Sequence, residues 1–150
     1  MSAGTAQPGC LFCRIARGEI PVVRVHENDE IIAFLDIRPI REGHLLIVPK
    51  GHYDYFEDIP ADIAGKIVAL AQRFARVAKQ TYNVARVGFM FTGVHITHAH
   101  AHVVPMVEDT DITSRRYIVE EAVTFRDPDV MSPDRLEKVA AKLKTALAET

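Results

Sequence analysis

The sequence predicts an α+β fold, and the order of its patterned segments is what predicts it. Two β-rich runs are separated only by turn residues, and two more flank Gly93. Two longer stretches carry apolar residues at helical spacing. In chain order, Met1–Gly9 has neither a basic start nor an apolar centre and reads as a flexible tail, followed by the short segment Leu11–Ala16. Val22–His26 and Glu30–Asp36 are rich in β-formers and split by Glu27, Asn28 and Asp29, so a hairpin is expected. Pro39 to Gly43 breaks the chain, and Leu45–Val48 is a continuous apolar run between Gly43 and Pro49, as in a central strand. Pro60 opens a long helical segment with Ile63, Ile67, Leu70, Phe74 and Val77 on one face, ending near Thr81–Asn83. Arg86–Phe91 and Ala99–Val104 read as further strands. Ser132, Pro133 and Asp134 cap a last helix that buries Leu136, Val139, Ala140, Leu143 and Leu147. Residues 107–131 are rich in charge and turn formers, with only Tyr117–Val119 suggesting a strand.

Bulk properties narrow the function classes. A chain of 150 residues with 48% hydrophobic content supports one domain with a real core, over residues 10–150 behind the tail. No apolar run reaches bilayer length and no secretory signal is evident, so the expected location is the cytoplasm. A net charge of −2 with no dense Lys/Arg patch argues against nucleic acid as partner, while a mononucleotide stays possible. The only cysteines, Cys10 and Cys13, form one Cys-x-x-Cys. In a reducing compartment that pair points to metal binding or redox use rather than a structural disulfide. No strand precedes it, which disfavours a thioredoxin-like role. A structural zinc site needs four ligands, so two histidines would have to join it, and His52 just past Pro49 is one candidate.

Four of the seven histidines fall between His95 and His102, and three of them alternate with small apolar residues. On an extended strand His98, His100 and His102 share one face, roughly 7 Å apart per step. Imidazole fills a core poorly but serves as nucleophile, general acid and metal ligand near neutral pH. A metal cage built from the row is therefore one reading and covalent catalysis another. His26 reads as a solvent-facing hairpin residue and His44 as a turn residue ahead of its strand. Asp36 ends a strand before a Pro-containing turn, so it is either a turn cap or a ligand of sugar hydroxyls.

The segment His98-Ala-His100-Ala-His102-Val-Val resembles the signature of the histidine triad (HIT) superfamily. Cys10-Leu-Phe-Cys13-Arg-Ile15, Glu19-Ile-Pro21, Ala33-Phe-Leu-Asp36-Ile-Arg-Pro39 and Gly43-His-Leu-Leu-Ile-Val-Pro49-Lys-Gly-His52 resemble successive blocks of its Hint-type branch in the same order, over about residues 10–106. The resemblance implies a five-stranded antiparallel sheet flanked by helices, paired into a two-fold homodimer. It implies a nucleotide hydrolase in which His100 attacks the α-phosphorus of a purine nucleotide derivative to form a covalent phosphoramidate. His102 would be donor or general acid to the phosphate and leaving group, and His98 would support the strand and the tautomer of His100. It further implies one structural zinc held by Cys10, Cys13, His52 and His98, Asp36 on the ribose, and Leu11, Phe12, Ile15, Phe34 and Ile37 around the base.

The chain departs from that pattern just before the triad. Hint-type proteins carry a Gly-rich loop with an Asn, then Gly-Gln-Ser/Val-Val, whereas here Gly88–Thr92 runs almost directly into Gly93, Val94 and His95. His95 stands in place of a phosphate-contacting Ser and Val94 in place of a Gln. By alternation His95 is out of phase with the triad, so it reaches the site only if Gly93 bends the chain. Three functions compete: a nucleoside phosphoramidase, a dinucleoside polyphosphate hydrolase, and a zinc-stabilised nucleotide-binding interaction protein with vestigial turnover.

Overall fold

The computed structural model describes residues 4–93, 95–112 and 128–149. The elements are α1 (Leu11–Ala16), β1 (Arg24–Glu27), β2 (Ile31–Leu35), β3 (Leu45–Pro49), α2 (Ala61–Tyr82), β4 (Arg86–Phe91), β5 (Ala101–Met106) and α3 (Pro133–Ala148). The strands form one antiparallel sheet in the order β1-β2-β3-β5-β4. Its centre explains why the β2 and β3 patterns are continuous rather than alternating: every residue of both strands is buried, because both faces of the sheet are covered.

Side chains of opposite parity make the two faces. Ile31, Ala33, Leu35, Ile47, Ala101 and Val103 pack against Ile67, Leu70, Phe74 and Val77 of α2 and Leu136, Val139 and Leu143 of α3. Ile32, Phe34, Leu46 and Val48 turn the other way and pack against Phe12 and Ile15 of α1. Helix α2 ends at Asn83, whose φ of 50° is the left-handed C-terminal conformation, and α3 begins where the Ser132 hydroxyl accepts from Arg135 N–H. Among the described residues no helix is long and apolar enough to cross a membrane.

Some boundaries move. The predicted strand Ala99–Val104 is observed at Ala101–Met106, because Ala99 N–H is taken by the Tyr53 carbonyl at 2.7 Å and not by a neighbouring strand. The first strand starts at Arg24, with an irregularity between Arg24 and His26. The tail is described from Gly4, whose carbonyl accepts from His52 N–H at 3.3 Å. The expectations for Tyr117–Val119 and Val94 lie outside the described residues.

Candidate active site

The alternation that puts Ala101 and Val103 into the α2 face puts His102 on the α1 face, opposite Leu46. His98 and His100 precede the regular strand, yet the row persists: His100 and His102 have ring centroids 4.9 Å apart, and Phe12 of α1 meets His100 edge-on at 4.9 Å. The three histidines nevertheless have separate surroundings. His98 faces the cysteines, His100 faces a cavity, and His102 faces His44.

The hydrogen bonds fix their tautomers. His100 Nδ1–H donates to the His98 carbonyl at 2.7 Å, which leaves the Nε2 lone pair without a protein partner among the described residues. Ile40 N–H donates to His44 Nδ1 at 3.2 Å, so His44 carries its proton on Nε2 and donates to His102 Nδ1 at 3.0 Å. His102 therefore carries its own proton on Nε2, 3.3 Å from Thr92 Oγ1. Burial is the main cause that lowers the pKa of all three groups, taking His102 down to about 4, with neighbouring imidazoles adding to it and Asp36 opposing it. All are neutral imidazoles at neutral pH.

His44 is the residue whose part the sequence reading undervalued. It is 3% exposed, and it is aimed at His102 by Gly43, whose φ of 86° and close approach to the Tyr82 ring leave no room for a Cβ. The signal was present: stepping back two positions from Leu46, which pairs with His102, gives His44 on the same face. Asp36 is the turn cap, and it also lines the cavity. Its Oδ1 accepts from Arg38 N–H at 2.8 Å as a turn cap, while Oδ2 faces His44 Nδ1 at 3.8 Å and the side chain lines the cavity.

That cavity holds about 460 Å³ and is almost wholly apolar. Leu11, Phe12, Ile15, Phe34, Asp36 and Ile37 all line it, together with His100 and His102. His95 lines it as well. Gly93 supplies the required bend, with φ of 62°.

On the far side of His98 lies a cluster of potential metal ligands. One donor atom from each of Cys10, Cys13, His52 and His98 falls within 4.8 Å of the others. Cys10 Sγ to His98 Nδ1 and Cys13 Sγ to His52 Nδ1 are both 3.3 Å, separations that tetrahedral zinc–sulfur and zinc–nitrogen bonds span. The opposite ring nitrogens are also committed: His52 Nε2–H donates to Asp54 at 2.9 Å and His98 Nε2–H to the Pro49 carbonyl at 2.9 Å. Such outer bonds turn each Nδ1 lone pair toward the ion. Burial raises the Cys13 thiol pKa and takes His98 down to about 4, so bound metal would supply the charge that the thiolates need. The donor set fits zinc. A second group, Asp36, His44 and His102, also converges, but neither group includes His100, so the cage of three equivalent triad ligands has no geometric support among the described residues.

A family model for the HIT domain matches residues 17–109. An uncharacterised HIT-like protein of Methanocaldococcus jannaschii is 36% identical over 66% of this chain and 80% of its own length. An adenosine 5′-monophosphoramidase of Saccharomyces cerevisiae is 38% identical over 70% of this chain and 68% of its own. The crystal structure of a zinc-bound histidine triad protein from Mycobacterium smegmatis, 29% identical, superposes with a TM-score of 0.71 over 94% of each chain. From the match over residues 17–109, the sheet order and the histidine row, this chain belongs to the HIT family.

Proposed function

We propose that the chain is a nucleotide hydrolase, a nucleoside phosphoramidase that works through a nucleotidyl group carried on His100. The observation that carries this reading is the tautomer of His100. Its Nδ1–H is held by a carbonyl and its Nε2 lone pair is unshared at the end of an apolar cavity, next to a proton-bearing His102. The similarity to a monophosphoramidase supports the same reaction class.

In the first step His100 Nε2 attacks the α-phosphorus, forming one P–N bond as the bond to the leaving nitrogen breaks. The negative phosphate raises the proton affinity of the His44–His102 pair, which burial holds low, so the pair takes up one proton from solvent as substrate binds and is an imidazolium when it acts as acid. The leaving nitrogen takes the electron pair of the broken bond and a proton from His102 Nε2, and departs as an amine. Water then attacks phosphorus, returns a proton to His102 and frees His100 with a nucleoside monophosphate. The apolar cavity takes the purine base, Asp36 accepts from the ribose hydroxyls, and His95 reaches the phosphate as an additional donor. Cys10, Cys13, His52 and His98 would hold zinc, which would supply a structural tie of α1 to the catalytic segment.

A homodimer belongs to the same reading, and light scattering that shows only the monomer mass at micromolar concentration would reject it. So does a cytoplasmic setting, where the thiols stay reduced for the metal. Steady-state turnover of an adenosine phosphoramidate against diadenosine polyphosphate tests the reaction. The phosphoramidate is expected to be the better substrate by kcat/KM, and preference for the dinucleotide would overturn the assignment.

A further inference from the structure

A second, smaller cavity shares residues with the first. It holds about 140 Å³ and is lined by Tyr55, Phe56, Glu57 and Phe91 as well as by Thr92 and His100. Thr92 and His100 are common to both cavities, so a phosphorus atom in contact with His100 lies at their junction. The direction of departure follows from His102. Its Nε2–H, the proton donor, is 3.3 Å from Thr92 Oγ1, and Thr92 forms part of the wall of the small cavity.

The chemistry of this second cavity differs from that of the first. Phe56 and Phe91 stack at a centroid distance of 5.0 Å and an angle of 45°, and the Tyr55 ring lies against Gly93, where an added Cβ would come within 3.3 Å of it. Phe56 is 54% exposed and Tyr55 48% exposed, an unusual cost for large apolar rings that line no core. Glu57 has no ion-pair or hydrogen-bond partner among the described residues. Size sets a preference: a cavity of about 150 Å³ takes one benzene ring, so the space between these side chains matches a single ring. Its carboxylate opposes a sulfate or polyphosphate and favours an ammonium, and its rings attract one as well.

We infer that the cavity of Tyr55, Phe56, Glu57 and Phe91 is the leaving-group subsite, and that it selects a small amine carrying one ring. The inference rests on the proposed nucleotidyl transfer to His100. The step balances: the amine leaves neutral, with the electron pair of the P–N bond and one proton from His102, and takes a second proton from water to become an ammonium facing Glu57.

The test compares kcat/KM for three adenosine 5′-derivatives, the benzylamide, the unsubstituted phosphoramidate and the phosphosulfate, in the wild type and in Tyr55→Ala, Phe56→Ala and Glu57→Gln. The wild type should prefer the benzylamide to the unsubstituted amide. Phe56→Ala and Tyr55→Ala should each lower that ratio by about tenfold, the scale of a lost aromatic pair. Glu57→Gln should lower the rate with both amides relative to the phosphosulfate. A benzylamide ratio unmoved by either ring substitution overturns the subsite while leaving nucleotidyl transfer intact. Equal losses on all three substrates together with a change in oligomeric state overturn it too, because the rings would then belong to an interface between copies. Turnover of none of the derivatives and no adduct on His100 would overturn both readings. Because Tyr55, Phe56 and Glu57 are exposed, the variants should melt with the wild type, and the ratios stay interpretable.

Discussion

At the scale of single residues the site depends on which nitrogen holds each proton. His44 touches no substrate in this account and acts by positioning: Ile40 N–H fixes its tautomer, and that tautomer fixes His102. His44→Phe should therefore lower kcat by at least about tenfold, part of what general acid catalysis contributes, with KM little changed. His44→Gln keeps a side-chain donor and should recover part of the loss, and the deficit should be largest for poor leaving groups. A loss carried by KM alone would count against positioning. For Asp36 the expected outcome of Asp36→Ala is a weakening of ribonucleotide binding by about 1.5–3 kcal/mol, with a smaller loss for the deoxy analogue in calorimetric titration. Equal losses for both sugars would leave Asp36 as the turn cap alone. These residue roles were unevenly legible. The triad spacing announces itself, whereas His44 and Asp36 look like turn residues until the strand register pairs Leu46 with His102 and so aims His44 at it.

At the scale of elements, α1 is the dependent piece. A helix of six residues is too short to hold itself in water, and its anchors are the burial of Phe12 and Ile15 and, in the proposed account, zinc on Cys10, Cys13, His52 and His98. Because Phe12 also contacts His100, loss of the metal should be felt in the nucleotide cavity. Cys10→Ser should lose zinc by elemental analysis, melt at lower temperature and bind nucleoside monophosphate more weakly. Unchanged melting in a zinc-free variant would remove the staple from the account. The elements themselves were largely readable, since α2, α3, β2 and β3 follow hydrophobic period and turn chemistry. Where the sequence reading slipped, at the start of β5, a tertiary hydrogen bond from Ala99 to the Tyr53 carbonyl decides the boundary, and no local pattern records it. The aromatic cavity around Tyr55 was invisible for the same reason, because Phe56 and Phe91 meet only through the fold.

At the scale of the whole molecule, burying neutral imidazoles makes stability depend on pH. The His102 pKa is lowered from 6.5 to about 4, so the unfolded chain binds more protons across that interval. Stability should be complete above about pH 6.5 and fall as the pH drops toward 4, and His102→Gln should show a shallower fall in thermal melts. A variant that tracks the wild type over this range would show that His102 does not titrate as described. The central claim is that one histidine carries the nucleotidyl group while another holds metal, although they are only two residues apart. Intact-mass analysis of the full chain, mixed with an adenosine phosphoramidate, tests it most directly when zinc is measured on the same samples of the wild type and of His98→Ala, His100→Ala and His102→Ala. The expected result is an adenylyl adduct in the wild type, formed much more slowly in His102→Ala and absent from His100→Ala, with zinc lost only from His98→Ala. An adduct that persists in His100→Ala, or zinc lost equally from all three variants, would contradict it.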